Sequence, residues 1–234
     1  MRFIWALLIV VLPSSLRRVI ARRLPGWDVD PTAYIGRSVI LVPRVSLGPG
    51  ASIGPRNVIK GIDELRLAEG ASIATRNWVT GWPSSQNVFP RSPNRQPSLI
   101  LGRYAMITDA HEIDCSDRFE IHDYGRLAGF RCQVMTHNLN LVRNEFETGP
   151  VEIGELSAVM SACILLSGTR VPARSIVSAG SVVNTKLTKE LTLYRGNPAE
   201  PVRDLPATLG YFRRGEPGAD GRRPLEPIEL QQQL

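Results

Sequence analysis

The sequence has little that would staple a chain or carry it through a membrane. It holds three cysteines in 234 residues, Cys115, Cys132 and Cys163. An odd number without framework spacing excludes a disulfide scaffold and points to a reducing, cytoplasmic setting. Lysine is scarce too. With only Lys60, Lys186 and Lys189, nearly all the positive charge behind the net +6 is arginine. Five arginines precede the first acid, Asp28, so the basic balance is partly an N-terminal matter. No nucleic-acid-binding motif accompanies it, and no nucleic-acid partner is expected. The apolar run Phe3 to Leu12 has ten residues and stops at Pro13. That is about half of what a helix needs to span a bilayer, ~20 residues.

Residues 1–30 read as an apolar and basic helical segment. A short helix capped by Ser14 or Ser15 would run to about Leu24. Leu16, Val19, Ile20 and Leu24 fall towards one side and Arg18 and Arg22 lie opposite. Two uses fit. The segment could be a peripheral anchor on the inner, anionic membrane face. It could equally cap the end of the domain that follows.

What the chain has in abundance is a beat of six. Ile153, Val159, Leu165, Val171, Val177 and Val183 are all aliphatic, and Ser157, Cys163, Thr169, Ser175 and Ser181 supply a small residue two positions before each of the last five. A helix would need a spacing near 3.6 and a half-buried strand would need alternation. A six-residue beat with coupled large and small positions predicts a hexapeptide β-helix. The large residue fills the axis and the small one lets the chain turn a corner. Cys163 occupies a corner slot and reads as a buried filler.

The same count starts earlier with Ile35, Leu41, Leu47, Ile53, Ile59 and Leu65. It restarts two residues out of phase at Leu67, Ile73 and Val79, which predicts a longer corner. It returns at Leu101, Ile107 and Ile113, slips again, and resumes at Ile121 and Leu127. Gln133 is then an exception on the inward row, followed by Leu139. Two stretches break the period, 81–98 and 140–152, and are expected to be loops thrown out from the prism. The first holds four prolines and, with Trp78, offers Trp82 and Phe89 to a sugar, to a partner or to its own coil. About 21 units make roughly seven turns over residues 31–206. The tail 207–234 has little to bury and is expected to be disordered.

At this point the residues resemble a known family. Val159-Met-Ser-Ala-Cys-Ile-Leu-Leu-Ser-Gly, Val177-Ser-Ala-Gly-Ser-Val-Val-Asn-Thr-Lys and Gly196-Asn-Pro-Ala-Glu-Pro-Val-Arg are similar to stretches of the hexapeptide-repeat acyltransferases. The likeness is greatest to the branch of maltose, colanic-acid and other sugar O-acetyltransferases. It implies an all-β, left-handed parallel β-helix, a homotrimer, and acetyl-CoA in a groove between neighbouring prisms. The implied activity is acetyl transfer to a sugar hydroxyl in polysaccharide or glycoconjugate biosynthesis, without a metal. Thr136-His137 matches the position of the family's active-site histidine. Ser161, Ala179 and Gly180 match contacts of the pantetheine arm, while Thr185, Lys186 and Arg203 match positions near the nucleotide end. Glu200 departs from the pattern, since relatives often carry Lys or Arg there.

Acyl transfer from a thioester needs a base for the alcohol proton, a donor for the oxyanion, and a means of holding both reactants together. His137 is the expected general base. His111, also four residues past a row position, is expected with Asp114 to position the acceptor. The bland readings are a hydrogen-bonded corner for His111 and a turn cap for Asp114. Asn138 and Asn140 could bind acceptor hydroxyls or serve their turns. His122 reads as structural. Two other functions remain open. One is a non-catalytic trimeric scaffold or sugar-binding subunit, which Glu200 favours. The other is a γ-carbonic-anhydrase-like enzyme, which would need three histidine ligands.

Overall fold

The structure, a computed structural model, describes residues 12–214. All but the last residue of the run Phe3 to Leu12 lies outside them, as does the tail beyond Arg214. From Trp27 onward the chain winds through three parallel sheets of seven, nine and seven strands. Each turn visits the first, second and third sheet in order, and coils cover residues 27–41, 44–60, 64–80, 98–114, 118–134, 151–165 and 170–183. Seven turns of three strands give the 21 units expected. An eighth turn is started by the Arg170–Lys186 bridge and by Thr192–Arg195, which returns antiparallel along Glu200–Asp204.

The axis is filled as the beat predicts. Ile53, Ile73, Ile107, Leu127, Val159 and Val177 stack on the second sheet and are wholly buried. Burying each such side chain stabilises by about 1.5–3 kcal/mol. The row needs four corrections. In the first coil the inward residue is Ile40, and Leu41 faces outward. The slips at Leu65/Leu67 and before Ile121 are not longer corners. Four-residue strands of the first sheet simply point two side chains inward: Val45 and Leu47, Leu65 and Leu67, Leu99 and Leu101, Phe119 and Ile121. Gln133 is not an inward exception, because a register shift near Gly129 moves Val134 into the row. Leu139 leaves the axis altogether and lies half-exposed on a hairpin.

The corners obey a second rule. From the second coil on, the residue before the buried corner position has a left-handed backbone: Arg56 before Asn57, Arg76 before Asn77, Ala110 before His111, Arg131 before Cys132, Ala162 before Cys163 and Gly180 before Ser181. This column forms the corner between the second and third sheets. Tyr104, Tyr124, Leu156 and Arg174 do the same between the first and second. The third corner, from the third sheet back to the first, follows the rule only at Gly61 and Gly168 and takes both insertions, 81–97 and 135–150.

The helix Ser14–Ala21 lies across the first coil. Its inward face is unusual, with Arg17 and Ala21 buried there. The Arg17 guanidinium donates to Ile35 O at 2.8 Å, and its Nε donates to Leu12 O at 2.7 Å. Leu16 and Val19 are about half exposed, and Arg18, Arg22 and Arg23 point outward. The helix thus caps the prism, but not with the face that its apolar residues suggested.

Candidate active site

Because both insertions leave from one corner, they meet. Arg95 organises the first. It is buried, and its guanidinium donates to the carbonyl oxygens of Trp82, Pro83 and Gln86 within the loop and to Ser116 O on the next coil. It also lies 4.9 Å from the ring centre of Phe89. The second insertion is an antiparallel hairpin, His137–Asn140 with Glu145–Thr148. Arg91 pairs with Glu145, and Thr148 N donates to Ser92 Oγ at 3.1 Å. These bonds hold the hairpin against the loop.

His137 opens the hairpin where the two insertions touch. Its ring lies 5.8 Å from Phe89 and 6.2 Å from Phe146, centre to centre. Nδ1 is 2.9 Å from Asp114 Oδ2, and the side chain is 34% exposed. The same Asp114 oxygen accepts from Thr136 N and Thr136 Oγ1, at 3.0 and 2.8 Å, while Oδ1 accepts from Ser116 Oγ at 2.6 Å. Burial by itself would raise the Asp114 carboxyl, but the bonds from His137, Ser116 and Thr136 hold it below the usual carboxylate value. An ionised Asp114 requires the proton on His137 Nδ1. That leaves Nε2 as the basic nitrogen, with no hydrogen-bond partner among the described residues. The bond to Asp114 raises the imidazole above its ordinary value, against desolvation. The arrangement is a partly exposed base, oriented and strengthened by a half-buried carboxylate. Asp114 also borders a depression on the third sheet, lined by Trp78, Glu112, Gln133 and Met135.

His111 does not join this site. It is fully buried in the opposite corner of the same sheet. Cys132 N donates to its Nδ1 at 3.1 Å, so Nε2 carries the proton and faces Thr108 Oγ1 at 3.0 Å. Desolvation pushes its pKa down to about 4. Its backbone N–H donates to Asn77 Oδ1, and Asn77 N in turn donates to Asn57 Oδ1. His111 is therefore a rung in a buried ladder of corner residues, which corrects the expectation that it positions an acceptor. His122 lies at the third kind of corner, near Glu120 and Glu152. The three histidines thus occupy three different edges of the prism.

Sequence reasoning paired Asp114 with His111, but the structure pairs it with His137. The signal was present in the register. Ile113 aligns with Val134, which brings Asp114 beside the residues that follow Val134. Reading Gln133 as the row position hid this. The roles of Arg95, Phe89 and Phe146 had no periodic signal. Asn140 serves its turn, donating to Glu147 Oε2 at 3.2 Å and accepting from Arg143 N at 3.1 Å. Asn138 is exposed on the hairpin.

No protein-family model matches the sequence, and no curated protein is significantly similar to it. Solved structures do match. A hexapeptide-repeat containing acetyltransferase from Vibrio cholerae aligns over 88% of this chain and 89% of its own, with a TM-score of 0.52 and 19% identity. An N-acyltransferase from Bacillus cereus, a mutant in complex with dTDP-4-amino-4,6-dideoxyglucose and coenzyme A, gives 0.52 at 14% identity over 79% and 87%. A galactoside acetyltransferase in complex with coenzyme A gives 0.51 at 12% identity over 88% and 82%. The fold is the left-handed hexapeptide-repeat β-helix.

Within this β-helix the six residues marked for a cofactor do not form one cluster. Ser161, Ala179 and Gly180 stack on the corner between the second and third sheets, where Gly180 N donates to Ser161 O at 3.0 Å. A Cβ built on Gly180 would meet nothing within 4 Å, so the corner is open there. Thr185 and Lys186 are exposed on the opposite edge of the third sheet, past Val183. Arg203 is exposed on the antiparallel strand at the end of the second sheet, and Glu200 on the same strand is exposed as well.

Proposed function

We propose that this protein is an acetyl-CoA-dependent O-acyltransferase that acetylates a sugar hydroxyl during polysaccharide or glycoconjugate assembly. The observation that carries the reading is the Asp114–His137 pair, with Nε2 of His137 open at the edge where both insertions meet. His137 Nε2 takes the hydroxyl proton as the alcohol oxygen bonds to the thioester carbonyl carbon. The carbon–sulfur bond then breaks, and the imidazolium returns the proton to the departing thiolate, leaving an acetyl ester and free CoA. Asp114 keeps Nδ1 protonated and steadies the imidazolium. The open corner at Ser161, Ala179 and Gly180 suits close approach of a slender, uncharged pantetheine arm. Lys186 and Arg203 would meet its nucleotide phosphates. Neighbours bound to coenzyme A, one of them also to a dTDP-sugar, support this donor and a carbohydrate acceptor. The working unit of this reading is a homotrimer.

Calorimetry of the full chain with acetyl-CoA tests it. Micromolar binding, followed by CoA release with a sugar acceptor, is the expected result. No binding up to millimolar concentrations would overturn it. The exposed acid Glu200 would then favour a non-catalytic trimeric scaffold.

The reading extends to location, on the cytoplasmic side of a membrane. No helix among the described residues is long and apolar enough to cross one. Leu16 and Val19, half-exposed beside Arg18, Arg22 and Arg23 and following the apolar run 3–12, suit an anionic lipid surface. Vesicles containing phosphatidylglycerol should bring the protein down on sedimentation at low salt, and Leu16→Asp/Val19→Asp should leave it in the supernatant. Equal sedimentation of that variant would rule the helix out as the contact.

A further inference from the structure

The corner between the second and third sheets changes character halfway along the prism. Towards the C-terminal end its left-handed turn position holds Ala162 and Gly180, and towards the N-terminal end it holds Arg56, Arg76 and, past Ala110, Arg131. Arg37 continues the line in the first coil, where its carbonyl accepts from Arg56 N. All four arginines are exposed, and none enters an ion pair among the described residues. A turn needs no charge here, since Ala110 and Ala162 adopt the same backbone.

Arg76 and Arg131 border a concavity on the third sheet, together with Trp78, Glu112 and Gln133. Trp78, Glu112 and Gln133 are also the floor of the depression that reaches Asp114. The two form a single trough that crosses the sheet from the His137 edge to the arginine edge. Three residues of strand separate His111 from Asp114, about 10 Å. Two coils separate Arg76 from Arg131, again about 10 Å at two strand spacings. The Trp78 indole is 49% exposed in the floor. Glu112 accepts from Gln133 Nε2 at 3.3 Å, so mid-trough presents a carboxylate that suits hydroxyls, and on the coil before it Lys60 Nζ lies 5.3 Å from the Trp78 ring centre. The two guanidinium groups make the arginine end the place with most positive charge for an anionic group on a ligand.

We infer that the acceptor is an anionic carbohydrate, its phosphate or carboxylate held by Arg76 and Arg131, its ring against Trp78, and its reacting hydroxyl towards His137. This rests on the transferase reading above and names the substrate class. Guanidinium groups pair with phosphate or carboxylate through two parallel hydrogen bonds. The competing use of the arginines is to hold the phosphates of coenzyme A.

The test is calorimetry of the full chain and of Arg76→Asn/Arg131→Asn, an exchange that asparagine tolerates in a left-handed backbone. Three probes are titrated: inorganic pyrophosphate, an oligogalacturonate and acetyl-CoA. The parent should bind pyrophosphate or the oligogalacturonate, and which of them binds tells phosphate from carboxylate. The variant should lose that binding at least tenfold while keeping its melting temperature and its acetyl-CoA affinity. The inference is overturned if the parent binds neither anion, if the variant binds it equally, or if the variant loses acetyl-CoA affinity instead. Failure of the parent to bind acetyl-CoA would count against the transferase reading and leaves the anion measurement independent.

Discussion

His111 and His137 stand at opposite edges of the same sheet, one just before the strand Glu112–Asp114 and the other just after the strand Gln133–Val134. Both follow a predicted row position by four residues, so spacing could not separate them. Their surroundings do. His111 is sealed within a corner, and both ring nitrogens are committed to internal partners. His137 shares one nitrogen with Asp114 and keeps the other open. Burial drives the first pKa down, and a carboxylate drives the second up. The corner geometry accounts for the difference. At the corner that turns tightly through a left-handed residue, the side chain that follows the turn is packed inside the prism. The corner that accepts insertions builds walls around the residue at its mouth.

The strongest test of this contrast is His137→Ala. It should lower acetyl transfer by about 10²–10⁴-fold, the range for a positioned base. The melting temperature should barely move, because Asp114 keeps its bonds to Thr136 and Ser116. Parental activity in the variant would remove His137 from the chemistry.

The mirror experiment is His111→Ala. It strands the Cys132 amide in the core and opens a cavity, so unfolding should ease by about 2–4 kcal/mol. Activity per folded molecule should be kept. A variant as stable as the parent would refute the ladder role. The parent should also show the proton linkage. The folded pKa of His111, about 4, lies below its unfolded value of 6.5. The unfolded chain therefore binds the extra proton between these values. The contribution of His111 is fully present above pH 6.5 and is lost as pH falls towards 4, by roughly 3 kcal/mol. Denaturant titrations at pH 7.5 and pH 5 should differ by about 2 kcal/mol of it.

A smaller effect should come from Asp114→Asn. The neutral amide still fills the space but no longer holds a proton on Nδ1, so kcat/KM should fall about 10²-fold, the lower end of the range for a positioned base. The diagnostic readout is the pH profile. The parent needs neutral His137, and its rate should climb with pH through a pKa above 6.5. In the variant that limb should move to lower pH. A fall in rate with an unmoved limb would make Asp114 a packing residue only.

Legibility followed periodicity. From Ile153 to Val183 the coils are eighteen residues long and every inward aliphatic was readable. Between Leu47 and Leu67 a coil takes twenty, because the first sheet turns two side chains inward, and the same count looked like a slip. At Gly129 one extra residue hid Val134, and with it the alignment of Asp114 to His137. The N-terminal helix misled for another reason. Arg17 is buried because its guanidinium satisfies the Ile35 carbonyl, a partner eighteen residues away that a helical wheel cannot contain.

By itself the sequence determined the prism, its seven turns, the two insertions and the candidate histidine. A repeat records its own packing, since each inward residue must fill the same axis at the same interval. Only the tertiary structure decided that both insertions leave from one corner, that Asp114 answers His137, and that His111 is sealed away. Those facts depend on which residues stack across coils twenty to thirty-four positions apart, and a single extra residue in a turn changes them all without disturbing composition or pattern.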